Sequence, residues 1–168
     1  MVVIVIIGLL AAIVFPRLDF VSPRRTLTTA ANLVLAAVAD ARAEARLKRL
    51  DVELVYDFAA GTLSIREPDA SAPAPPYGPA PEPVVLLTAK LPDGVTISRV
   101  YQGVNHVGNS GVTIAAFKSS GSGGEHMVVL ENANKDTISI FVPALSGAAF
   151  VVEGELSYAE VRSSRRLL

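Results

Sequence analysis

Three regimes of hydrophobic patterning divide the chain. Residues 1–15, MVVIVIIGLLAAIVF, contain no polar side chain. From Leu27 onward the period is helical: Leu27, Ala31, Val34, Val38, Ala41 and Ala45 recur at steps of three and four, which places them on one face of an α-helix. Ser22-Pro23 supplies its start, a capping hydroxyl before a proline at the first helical position. Small residues (Ala30, Ala31, Ala36, Ala37, Ala41) give this helix a stripe that allows close packing against a sheet or another helix. After residue 50 the period shortens to two.

Strands are predicted at 52–58 and 62–65, joined around Gly61, and at 84–91, 95–101, 112–117, 126–131, 137–142 and 148–152. Turn signals separate them: Pro92-Asp93-Gly94, Asn109-Ser110-Gly111, the Ser/Gly run 119–124, Asn132 to Asp136, and Ser146-Gly147. Segment 68–83, PDASAPAPPYGPAPEP, holds seven prolines and fits neither helix nor central strand, so it reads as a polyproline-like surface loop. One long helix followed by six to eight short strands makes an α+β chain. The helix has a membrane half and an amphipathic half, and it packs on a β-sandwich-like antiparallel head. The divisions are an apolar helix over 1–16, a stalk over 17–50, a β-rich head over 51–161 and a basic tail over 162–168.

As a helix, fifteen residues reach about 22 Å, short of the roughly 30 Å hydrocarbon core that a span must cross. The segment is nonetheless apolar all round, as a membrane helix is. A cleaved signal peptide would want a basic n-region and a small-residue cleavage site, and neither is present. Pro16 follows the run and would kink the rod where hydrocarbon meets water.

Composition sharpens the picture. The chain has 168 residues, is 51% apolar, carries a net charge of −1 and lacks Cys and Trp. Disulfides and thiolate metal sites are thereby excluded. The near-neutral total conceals a division: segment 17–50 holds seven basic and three acidic side chains, segment 51–161 five basic and thirteen acidic, and the last seven residues three arginines. The chain therefore has a basic stalk, an acidic head and a basic tail. Near the end of the stalk Arg42, Arg46, Lys48 and Arg49 suit a helix C-terminus, and Glu44 and Lys48 form an i,i+4 pair.

Candidate chemistry is thin. Gly108-Asn109-Ser110-Gly111 beside His106 has the outline of a serine-nucleophile loop, but the order of histidine and serine does not fit, so it reads as a turn. Residues 119–126, SSGSGGEH, lack the Lys-Ser/Thr ending of a phosphate loop and read as a flexible hairpin loop. Asn132, Asn134 and Asp136 alternate as calcium ligands do, without the Gly and distal Glu that complete such a loop. His106 and His126 have no metal-ligand spacing and read as surface or satisfied polar residues. No cofactor, metal or enzymatic activity is expected.

The run VVIVIIGLLAAIVFPRL resembles the N-terminal region of type IV pilins and type II secretion pseudopilins, in which an apolar helix carries a Gly and then a Pro, as Gly8 and Pro16 stand here. Such chains begin with a basic leader, a Gly-Phe cleavage site and an early Glu. Those positions would precede Met1, which implies a fragment or a start set too late. The resemblance implies that Val3, Ile4, Ile6, Ile7, Gly8, Leu10, Ala11, Val14, Phe15 and Pro16 pack in the membrane and then against neighbouring subunits. It further implies a single pass through a bacterial inner membrane with the head in the periplasm, although Arg17, Arg24 and Arg25 alone would favour a cytoplasmic C-terminus. In the head, LPDGVTI, a strand entering a Ser/Gly-rich loop, and a short strand after a Gly are similar to the H-type minor pseudopilins and FimT-type minor pilins.

The function expected is therefore that of a structural minor pseudopilin for protein export. Its partners are other pilins or pseudopilins, the inner membrane and a secreted protein substrate. Two alternatives stand: a FimT-like minor pilin contacting DNA through Arg162, Arg165 and Arg166, and a signal-anchored periplasmic β-domain. Against the DNA reading, the tail also reads as a solvated segment beside an acidic head.

Overall fold

A computed structural model describes residues 23–68, 83–103, 106–145, 147–154 and 157–160. The apolar segment 1–15, Pro16, most of the proline-rich segment and the tail arginines lie outside these residues. Helix α1 runs from Pro23 to Lys48. Arg49 then takes a left-handed backbone angle (φ 55°) that ends it, two residues before the stalk boundary expected from sequence.

Nine strands follow among the described residues: β1 (Val52–Asp57), β2 (Thr62–Arg66), β3 (Val85–Lys90), β4 (Val95–Gln102), β5 (His106–Gly108), β6 (Val112–Phe117), β7 (His126–Asn132), β8 (Thr137–Val142) and β9 (Phe150–Glu153). They form two antiparallel sheets, ordered β3-β2-β1-β6 and β5-β4-β7-β8-β9. The α+β class is that expected, with one more strand than the upper expectation. The extra strand is β5, three residues long and too short to show a period.

Alternation sets each strand's inward face. Val52, Leu54 and Tyr56 of β1, Leu63 and Ile65 of β2, and Ala115 and Phe117 of β6 turn to the core. In β4 a bulge between Ile97 and Arg99 shifts the register. Val95, Ile97 and Val100 can then all face inward although their spacing breaks the period of two. Strands β7 and β8 read as nearly unbroken apolar runs because both of their faces are covered. Val128, Leu130, Ile138, Ile140 and Val142 join the main core. Met127, Val129 and Phe141 face the other way, under Tyr158.

Helix α1 lies against both sheets, packing on β1, β2, β7 and β8 and touching β4 and β6. Its buried positions are Leu27, Ala30, Ala31, Val34, Ala37, Val38, Ala41 and Ala45. Five of these are alanines, so the helix backbone can approach the strands closely. The larger Leu27, Val34 and Val38 each contribute about 1.5–3 kcal/mol by burial. Ala36, grouped with the small-residue stripe in the sequence, lies on the exposed side.

Two connections differ from their sequence reading. Residues 118–125 do not close a hairpin, because β6 belongs to the first sheet and β7 to the second; they carry the chain across from one sheet to the other. The glycines there serve close packing. A Cβ on Gly121 (φ 79°) would lie 2.1 Å from Arg46 Nε, and one on Gly123 would lie 2.6 Å from the Phe117 ring. Residues 109–111 likewise cross between sheets, from β5 to β6.

Candidate assembly surface

The exposed side of α1 carries a strip of small and apolar residues among polar and charged ones such as Asn32, Asp40 and Arg46. Ala36, Ala39, Ala43 and Leu47 follow one another at helical spacing and are exposed, Leu47 to 80%. Beside them, α1 and the β8–β9 connection enclose a groove of about 470 Å³, lined by Leu35, Val38, Ala39, Arg42, Ala43, Arg46 and residues 147–149.

Arg42 holds the two walls together. It is 8% exposed, and its guanidinium donates through Nη2 to the Pro143 carbonyl at 2.7 Å and through Nη1 to the Gly147 carbonyl. Its Cζ lies 5.8 Å from the centre of the Phe117 ring, a cation–π contact. Burial and the neighbouring Arg46 lower its pKa from the usual guanidinium value; it remains charged. Sequence reading placed Arg42 among the basic residues that suit the helix C-terminus. The missed signal was phase: Arg42 falls between Val38 and Ala45 on the buried face.

From Phe117 a polar chain continues to the junction of the two sheets. The Phe117 and His126 rings meet edge-on at 6.1 Å, and His126 Nε2 lies 2.9 Å from Tyr56 Oη. His126 Nδ1 lies 2.8 Å from the Gly124 carbonyl. A carbonyl only accepts, so Nδ1 carries the proton and Nε2 accepts from the tyrosine hydroxyl. Both groups are fully buried. Burial pushes the His126 pKa down to about 4, against the bond to Gly124 and with help from the Arg42 charge. Burial also raises the pKa of Tyr56. A neutral imidazole therefore ties β1 of one sheet to β7 of the other.

The remaining sequence candidates are placed apart. His106 is exposed on β5, and Ser110 Oγ donates to Asn109 Oδ1 at 3.4 Å within the turn. Asn132 Oδ1 accepts from the backbone N–H groups of Asn134 and Asp136, and its amide donates to Asp136 Oδ2 at 3.0 Å, so these side chains close the β7–β8 turn on themselves. Among the described residues no group of three or more His, Asp or Glu is placed to hold a metal ion, and no helix is long and apolar enough to cross a membrane. Val3, Ile4, Ile6, Ile7, Gly8, Leu10, Ala11, Val14, Phe15 and Pro16 lie outside the described residues, as do Arg162, Arg165 and Arg166. The expected stalk pair Glu44–Lys48 is present at 3.9 Å, and Lys48 also reaches Glu67 at 3.0 Å.

Solved structures share the fold of the described residues, among them two minor pilin-like subunits. The minor pseudopilin EpsH from the type 2 secretion system of Vibrio cholerae is 11% identical, with a TM-score of 0.50 over 76% of this chain and 96% of that one. The type IV minor pilin FimU of Pseudomonas aeruginosa is 16% identical, with a TM-score of 0.52 over 80% of this chain and 91% of that one. The fold is that of the minor pilins and pseudopilins. No protein-family model and no curated protein sequence matches the chain. In this pilin-like fold the sequence-predicted Leu27, Ala31, Val34, Val38, Ala41 and Ala45 lie buried between α1 and the sheets, and the opposite helix face and groove stay open.

Proposed function

We propose that the chain is a structural minor subunit of a pilin-like filament, and that the filament is a type II secretion pseudopilus in which this subunit is H-like. The observation that carries the reading is the two-sheet head packed on a single helix, shared with EpsH and FimU over most of each chain. The apolar run 1–15 is separated by seven residues from the start of that helix at Pro23. It would hold the subunit in the inner membrane with the head in the periplasm, then leave lipid to pack against other pilin-like subunits. Neighbours then replace lipid in keeping this surface from water, where exposure would cost about 25 cal/mol per Å² of apolar area. The role is one of packing, and no catalytic step is assigned to it.

Deleting the gene in its host discriminates the two machines. The pseudopilus reading expects loss of protein export through the type II system with surface pili retained. Loss of pili with export intact would overturn that choice in favour of a type IV pilus.

A further inference from the structure

A second groove, of about 320 Å³, opens where α1 begins. Arg24 and Thr28 stand on one side of it, and Lys135 and Asp136 of the β7–β8 turn and Glu153 at the end of β9 on the other. Two of its charges are already engaged: Lys135 is paired with Glu131, and Asp136 Oδ2 accepts from the Asn132 amide. Arg24 and Glu153 are not. Both are exposed and line the same groove without meeting, and among the described residues neither has an ion-pair partner. A free cation and a free carboxylate kept apart across one cleft match a ligand that carries both charges.

We propose that this groove receives the headgroup of a zwitterionic phospholipid of the phosphoethanolamine type, the phosphate on Arg24 and the ammonium on Glu153. Place in the chain names lipid as the source. The apolar run ends at Phe15, and Leu18, Phe20 and Val21 carry apolar character to within two residues of Pro23. Arg24 is the ninth residue after Phe15, about 14 Å along a helical rod. The headgroup layer reaches roughly 5–7 Å beyond the hydrocarbon, and the long arginine side chain can extend down towards it. Charge selects among headgroups. An anionic one would leave Glu153 without a partner, and the methylated nitrogen of choline has no N–H to donate to a carboxylate, whereas a primary ammonium makes a charge-assisted hydrogen bond. The contact would seat the head on the lipid surface before the subunit leaves for the filament. It rests on the reading that the apolar run holds the chain in the membrane.

The test places the photo-crosslinker benzoylphenylalanine at Thr28, an exposed residue of the groove. The full-length chain is reconstituted in vesicles of equal parts phosphatidylethanolamine, phosphatidylcholine and phosphatidylglycerol, and lipid adducts are identified by mass. The expected result is about a threefold excess of the ethanolamine adduct over each of the others. Glu153→Gln should abolish the preference for ethanolamine over choline while adducts persist, and Arg24→Gln should lower all three. Adducts in the proportions of the bulk lipid overturn the proposal, as do a glycerol-headgroup excess, a preference unchanged in both variants, or no lipid adduct at all. An alkaline carbonate wash reads the anchor separately. A chain that stays with the vesicles but shows no preference sinks the groove and leaves the anchored reading standing; a chain that washes out sinks both.

Discussion

Aspartate in place of Ala41 is expected to leave the chain without a stable head, whereas aspartate in place of Ala36 should be nearly silent. Both positions lie on α1, five residues apart, and share the same chemistry. Ala41 is fully buried against the sheets and Ala36 is exposed. A carboxylate at Ala41 would be desolvated within the main core that the helix shares with the sheets, with a cost on the order of 4 kcal/mol or more. That is a large part of the roughly 5–15 kcal/mol that stabilises a typical domain. At Ala36 only helix propensity changes, by about 0.5 kcal/mol. Thermal or urea unfolding of the two variants measures the difference. Similar unfolding midpoints for both would mean that α1 does not pack on this face.

Acid should weaken the head before its carboxylates titrate, through His126. The folded-state pKa is pushed down to about 4 from an ordinary 6.5, so the unfolded chain takes up a proton that the folded chain refuses. The contribution of the neutral imidazole is therefore complete above pH 6.5 and is lost as pH falls from there towards 4. Over that window the loss amounts to about 3 kcal/mol. Replacing His126 by Leu should lower stability at neutral pH, because Tyr56 Oη then lacks an acceptor, by about 1–3 kcal/mol. The same change should flatten the slope between pH 6.5 and 4.5. A slope unchanged in His126→Leu would assign the acid sensitivity to other groups.

How much of this could be read from the sequence depended on whether the governing contacts were local. The α1 face was legible because Leu27 to Ala45 repeat with the helix itself, and β6 and β8 because each is a clear strand between turns. Strand β5 was not, since three residues carry no period and its place comes from pairing with Tyr101 and Gln102 of β4. The Ser/Gly crossover looked like a flexible hairpin because glycine permits both looseness and close approach, and only Arg46 and Phe117 decide between them. Arg42 was missed, and His126 was left between a surface and a satisfied polar position, for a similar reason. The acceptors of Arg42 lie about a hundred residues downstream, and the partner of His126 lies 70 residues upstream. A buried arginine or histidine announces itself only through phase, by standing where an apolar residue is due.

The apolar N-terminal run is proposed to pack the chain against other subunits of a filament. With no native Cys, a single cysteine at Ala11 gives a crosslinking site free of background, and the measurement is its adduct in filaments sheared from the host. The expected result is a covalent adduct between Ala11→Cys and a subunit of the filament. A chain recovered only from the membrane fraction, uncrosslinked while filaments assemble normally, would contradict it.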